Sequence, residues 1–215
     1  MTDSRAPLGK GCRLAEKVVP GTRMMDLKHA SGIALSSVST IKPSTAAMKG
    51  KGLKLWIVSA HTPREIAEDH NKDTFYDEHN TLISKIPCQQ AVIVGIDANA
   101  NIRLEQQSDV LRKYFYPMEQ ASNNGIRLID LCEQTNLIIT STLKRNHLRR
   151  QLTWQGATPL TPEEQRKRKM PNLKLQFDYV LARNILHSDI RKSRAVWDVA
   201  FYSDNRPVLS FIVRL

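Results

Sequence analysis

The chain has 215 residues, 41% hydrophobic and 25% charged, with nine glycines and ten prolines, which suits one folded domain. No apolar run nears the roughly 18 residues of a membrane-spanning helix. The basic residues Arg5, Lys10, Arg13, Lys17 and Arg23 flank no apolar core, so a secretory signal is not expected. The formal net charge is +11, which fits either a polyanionic partner or a solvated basic face.

In chain order, residues 1–30 show no clean hydrophobic period, and the segment 1–52 reads as diverged or partly disordered. Gly32–Ile41 is a strand candidate and Lys42–Gly52 a turn-rich stretch. Leu53–Ala60 (LKLWIVSA) is a short apolar run of the kind that forms a buried strand, ended by Pro63. The pattern predicts a helix over Arg64–Ile86 with an apolar stripe of Phe75, Leu82, Ile83 and Ile86. Pro87 stops it, and Ala91–Ile96 (AVIVGI) reads as a central strand. Asn123 or Asn124 is placed to cap a second helix whose apolar face is Ile126, Leu128, Ile129, Leu131 and Cys132.

Leu137–Thr142 reads as a strand, and 155–173 as a basic, proline-containing loop. Leu175–Leu181 alternates, with Leu175, Phe177, Tyr179 and Leu181 on one face and Gln176, Asp178 and Val180 on the other. Val196–Phe201 and Pro207–Leu215 supply the last strands. This is a mixed α/β (α+β) chain, and a two-sheet β-sandwich flanked by helices accommodates it better than a single parallel sheet. The three cysteines (Cys12, Cys88, Cys132) are scattered, with no C-x-x-C pair. That spacing argues against a disulfide framework or structural zinc site, and for a reducing, intracellular setting, nuclear or cytoplasmic.

The charge is unevenly spread. Residues 1–52 carry a net +6, 53–143 a net −4 and 144–194 a net +9. A basic flank beside an acidic centre serves either as a polyanion-binding surface or as a solvated face, and salt-dependent nucleic-acid binding separates the two. Three acidic positions fall where strands end or turn. Asp97 and Asn99 follow Ala91–Ile96, and their spacing would point both side chains to one side of an extended segment. Asp178 lies on the polar face of its strand, and Asp204 precedes Asn205 and Arg206 in a turn. Carboxylates at buried strand ends are costly unless they meet a cation or hydrogen-bond donors, and several together would suit Mg²⁺ or Mn²⁺.

The ordered set of these segments resembles the endonuclease/exonuclease/phosphatase superfamily, which includes exonuclease III, deoxyribonuclease I and the endonuclease domains of non-LTR retrotransposons, the last being the nearest in pattern. Ser59–Pro63 (SAHTP) is similar to the family's Y-x-P segment, with His61 where tyrosine is usual. Gly95–Asn99 (GIDAN) resembles G-D-x-N with Ile96 inserted, and Asn124–Leu131 (NGIRLIDL) resembles the helix that follows. Thr140–Thr142 and Thr153–Trp154 match T-x-T and T-W, Gln176–Leu181 (QFDYVL) the I-D-Y strand, and Ser203–Arg206 (SDNR) the terminal S-D-H-R. Arg13–Lys17 (RLAEK) retains the L-A-E part of the upstream L-x-E-T segment. The family's opening strand is not visible.

The resemblance implies a four-layer αββα sandwich over 53–215, incomplete at the N-terminus, and a divalent-metal-dependent phosphodiesterase acting on nucleic acid, DNA above all. Asp97 would orient or activate the attacking water, Asn99 would steady the phosphate, and Glu16 and Asp204 would hold Mg²⁺ or Mn²⁺. Asp178 would brace a histidine, but Asn205 stands in its place. An amide cannot exchange a proton near neutral pH, so weakened catalysis is expected, with His61 a possible substitute. Lys144, Arg145, Arg149 and Arg150, with Arg166, Lys167, Arg168 and Lys169, would grip backbone phosphates, and Trp154 would stack on or wedge beside a base. The alternatives are a catalytically inactive retroelement-derived remnant that binds nucleic acid through Lys144–Arg194, and a phosphatase on the same fold.

Overall fold

The computed structural model describes residues 23–26, 44–49, 54–102, 108–115, 121–159, 161–168, 172–197 and 204–213. In chain order its elements are β1 (Arg23–Asp26), β2 (Ser44–Lys49), β3 (Lys54–His61), α1 (Asp69–Ser84), β4 (Ala91–Asp97) and α2 (Asn123–Thr135). There follow β5 (Leu137–Ile139), β6 (Trp154–Pro159), α3 (Pro162–Arg168), β7 (Asn172–Leu175), β8 (Asp178–Arg183), β9 (Ile190–Ala195) and β10 (Val208–Ile212). Six strands form the main sheet in the order β1-β2-β3-β4-β8-β5. β3 and β4 run parallel, while β8 is antiparallel to both β4 and β5.

The apolar runs of β3 and β4 are explained by what covers the two faces. Trp56 and Val58, Val92, Val94 and Ile96, and Tyr179 and Leu181 point to one face and pack on Phe75, Tyr76 and Ile83 of α1 and Leu128, Leu131 and Cys132 of α2. Leu55, Ile57, Ala91 and Ala182 point to the other and meet Leu143, Leu186, Ile190 of β9 and Ile212 of β10. A strand buried on both sides needs apolar side chains at successive positions, so alternation is lost. Helices on one face and a second β layer on the other give the expected mixed α/β sandwich.

That second layer is built from two antiparallel pairs, β9–β10 and β6–β7. The segment before β10 joins them: Trp154 bridges to Asn205, Gln155 N–H donates to Asp204 O, and Arg206 N–H donates to Thr153 O.

Several local expectations change. The stretch read as turn-rich holds β2, whose antiparallel pairing with β3 overrides its weak local signal. Gly32–Ile41 lies outside the described residues. The first helix begins at Asp69 rather than Arg64. Thr140–Thr142 is a 3₁₀ turn, not strand. The loop read over 155–173 contains β6, α3 and the start of β7. Val196 and Trp197 lie beyond the end of β9, and the rest of the strand expected over Val196–Phe201 lies outside the described residues. Cys88 is disulfide-bonded, so cysteine spacing was a poor guide there. Among the described residues no helix is long and apolar enough to cross a membrane.

Ser122, not Asn123 or Asn124, caps α2: its hydroxyl accepts from Gly125 N–H (3.0 Å) and from Asn101 N–H (2.9 Å). The Glu65 carboxylate accepts from Asn123 N–H (2.7 Å) and Asn124 N–H (3.1 Å), setting an anion at the positive end of the helix. Gly125 is needed for close approach, since a Cβ there would sit 2.0 Å from Asn101 O. At the far end of α1, the buried Arg183 guanidinium donates to Ile83 O, Ile86 O and Pro87 O, satisfying carbonyls that the helix leaves open. Ile126 is 47% exposed and does not belong to the apolar face, whereas Leu128 is fully buried.

Urea unfolding should therefore separate three variants. Gly125→Ala is expected to cost at least about 2 kcal/mol by overpacking, Leu128→Ala about 2–5 kcal/mol, and Ile126→Ala no more than about 0.5 kcal/mol.

Candidate active site

The strand register assembles the site. His61 at the end of β3 lies beside Asp97 at the end of β4, and Asp97 lies directly opposite Asp178, the first residue of β8. All three fall on the face that carries Leu55, Ile57 and Ala91, between the two β layers. His61 Nε2 is 3.6 Å from Asp97 Oδ2. His61, Asp97, Asn99, Trp154, Asp204 and Asn205 line one cleft of about 410 Å³, together with Arg64 and Phe177.

Past Asp97 the chain turns rather than continuing extended. Asn99 has φ of 43°, in the left-handed region that asparagine tolerates better than most residues. Its N–H donates to Asp97 Oδ1 (3.2 Å) and its side-chain amide to Thr62 O (3.3 Å). The two-residue spacing thus works through an Asx turn, not through the alternation of a strand. The buried Asn124 amide donates to Pro63 O (2.9 Å), tying the start of α2 to the loop after His61.

Asp204 is oriented by the indole of Trp154, whose Nε1–H donates to Asp204 Oδ2 (2.8 Å). Trp154 also packs on Phe177, ring centroids 5.5 Å apart. Thr153 holds the start of β8 in place: its hydroxyl accepts from Phe177 N–H and Asp178 N–H, each at 3.0 Å. Neither Thr153 nor Glu65 was singled out as a site residue by sequence. Thr153 carried a signal only as the threonine of the T-W element, and Glu65 had none beyond its nearness to Pro63.

Electrostatically the pocket is under strain. Burial pushes the Asp97 carboxyl above its usual range; the Asn99 N–H and His61 oppose this, and Asp204 adds to it. Asp178 is pushed up to about 7, first by burial and then by the charge of Asp97, against the hydrogen bonding of Thr153. Asp178 Oδ2 is buried without a hydrogen-bond partner.

Among the described residues no group of three His, Cys, Asp or Glu side chains is disposed to hold a metal ion. The donor set nevertheless fits a hard cation in its chemistry: the oxygens of Asp97, Asn99 and Asp204 share the cleft, and a buried carboxylate oxygen nearby lacks a partner. Glu16 lies outside the described residues.

The basic residues are not brought into the cleft. Lys144, Arg145 and Arg149 are exposed and Arg150 is half-buried. On α3, Arg166 is exposed, Lys167 pairs with Glu163 at 3.1 Å, and Arg168 ends the helix. Lys169 lies outside the described residues.

No family model matches the sequence. The chain is similar to the endonuclease domain of TRAS1, a telomere-specific non-LTR retrotransposon, with a TM-score of 0.55 at 14% identity, covering 80% of this chain and 64% of that one. It is also similar to the AP endonuclease LMAP from Leishmania major (TM-score 0.51, 13% identity, 76% and 51% of the two chains). A third likeness is to a 3'-5' exonuclease from Neisseria meningitidis (TM-score 0.50, 13% identity, 78% and 64%). The fold is therefore that of the endonuclease/exonuclease/phosphatase proteins. Among curated proteins, craniofacial development protein 2 of Bos taurus and of Tragulus javanicus are each 25% identical over 146 residues, 68% of this chain. The match spans 22% and 23% of the length of those relatives.

A carboxyl whose pKa is higher in the folded than in the unfolded chain favours folding at low pH, and that contribution is lost as pH rises through the folded value. The Asp178 shift thus predicts stability falling between about pH 4 and pH 7. Asp178→Asn should match the native chain near pH 4 and exceed it by about 2–4 kcal/mol near pH 8, read by urea unfolding at each pH.

Proposed function

We propose that the chain is a nucleic-acid phosphodiesterase of the DNA endonuclease type, dependent on Mg²⁺ or Mn²⁺ and weakened by Asn205. The observation that carries this reading is Asp97, paired across strands with Asp178, in a cleft where Asn99, Asp204 and Asn205 converge. Hydrolysis of a phosphodiester forms a bond from water oxygen to phosphorus, breaks the bond to the leaving oxygen, and needs a proton for that oxygen. Asp97 accepts a hydrogen bond from the attacking water, its raised pKa making it a better proton acceptor than an ordinary carboxylate. The Asn99 amide donates toward a non-bridging phosphate oxygen. Asp204, whose carboxylate accepts from Trp154, would hold the metal, with Glu16 as its expected companion. When bound, the ion supplies Lewis-acid stabilisation of charge on the phosphoryl and leaving oxygens.

Asn205 can donate a hydrogen bond to the leaving oxygen but cannot deliver a proton, which sets the expected deficit at about 10²–10⁴-fold. His61 stands beside Asp97 rather than opposite Trp154, so it supports the water-side carboxylate and does not replace the lost group. A second reading, a non-catalytic nucleic-acid-binding remnant, is favoured by the same Asn205. Plasmid nicking decides between them. Slow nicking in Mg²⁺ or Mn²⁺, lost in Asp97→Ala and raised at least about 10²-fold in Asn205→His, is the expected result. No nicking by either the native chain or Asn205→His overturns the phosphodiesterase reading.

A further inference from the structure

Outside the cleft, three cationic side chains gather on one indole. The Trp197 ring has Lys174 Nζ 4.4 Å from its centroid, Arg206 Cζ at 4.8 Å and Arg149 Cζ at 5.8 Å. The ring is pinned by its own Nε1–H, which donates to Leu152 O (2.9 Å). The three cations come from remote parts of the chain: the 3₁₀ turn Leu148–Arg150, strand β7, and the segment before β10. None of the four residues lines the cleft. Lys174 pairs with Gln155, so it projects from the other side of the β6–β7 ladder than the Trp154 and Leu175 pair.

Bringing three like charges together costs free energy unless something offsets it. Cation–π attraction to Trp197 offsets part of it. Burial lowers the pKa of Lys174, and the charges of Arg149 and Arg206 lower it further, which shows that the repulsion is felt. Among the described residues neither Lys174 nor Arg149 has a carboxylate within salt-bridge range. An anion arriving from outside would relieve this repulsion. The exposed Lys144 and Arg145 precede Arg149 on the same stretch of chain and add further positive charge to it, the kind of surplus a repeating polyanion neutralises.

We propose that Arg149, Lys174 and Arg206, held on Trp197, form a phosphate-backbone grip for nucleic acid on the side of the β6–β7 ladder away from the cleft. It reads charge and spacing, not sequence, because cations on a fixed aromatic platform meet phosphates without reaching base edges. The grip does not depend on the phosphodiesterase reading, and a catalytically dead chain keeps it.

The test uses the full chain carrying Asp97→Ala, so that no cleavage complicates binding to a short fluorescent DNA duplex titrated across salt concentrations. Lys174→Gln and Arg149→Gln are each expected to weaken binding roughly three- to tenfold at low salt and to reduce the salt slope by about 0.9. Lys174→Arg should restore both, and Lys85→Gln, remote on the chain and exposed, should change neither. Retention of native affinity and slope by both glutamine variants overturns the grip, whatever plasmid nicking shows. Tighter binding of a multiply phosphorylated peptide than of the duplex, lost in the same variants, also overturns it by reassigning the surface to a protein partner. Native-like thermal melting of the variants separates loss of binding from loss of fold.

Discussion

The structure turns on the register of three neighbouring strands. β3, β4 and β8 end or begin at one edge of the main sheet, and their pairing puts His61, Asp97 and Asp178 in a single row. A slip of one residue in any pair would turn the affected side chain to the opposite face, into the packing against the helices. The apolar residues fix the register. Trp56, Val58, Val94, Ile96 and Leu181 must face α1 and α2, so their neighbours have no choice but to face the second β layer. The two facing acids are thus a by-product of core packing, and their raised pKa values are the electrostatic consequence of that placement.

The other half of the cleft is delivered by backbone hydrogen bonds from the second layer. Residues 204–206 run alongside β6, and this pairing brings Asp204 to the indole of Trp154 and Asn205 opposite it. Thr153 connects the two halves, because its carbonyl accepts from Arg206 while its hydroxyl accepts from the first residues leading into β8. Loss of that hydroxyl would free the N–H groups of Phe177 and Asp178 and loosen the start of β8. On the helix side, Glu65, Ser122 and Asn124 anchor α2 to the loops leaving β3 and β4.

The same small ladder separates two kinds of charge. On one side Trp154 orients a carboxylate; on the other Trp197 gathers three cations. An acidic pocket by itself repels a polyanion and a basic surface attracts one, so the two sides of the ladder act with opposite sign. The proximity of the two follows from chain connectivity: Asn205 and Arg206 are adjacent, as are Thr153 and Trp154.

The sequence by itself determined the strands with uninterrupted apolar character, β3 and β4, the helices α1 and α2 that follow them, and the order of the short polar motifs that end those strands. These are local properties, set by hydrophobic pattern and by turn chemistry within a few residues. It did not reveal β2 or β6, because their stability comes from pairing with other strands; α3, largely exposed, was also missed although local Thr161–Glu164 contacts start it. It also misplaced Ile126, which is exposed, and the cap of α2, which is Ser122. Only the tertiary structure decided that Asp97 faces Asp178, that Asn99 acts through a left-handed turn, and that Lys174 and Arg206 share Trp197. The first and last are meetings of residues far apart in the chain, and such meetings are fixed by register and layer packing rather than by any property of the segments alone.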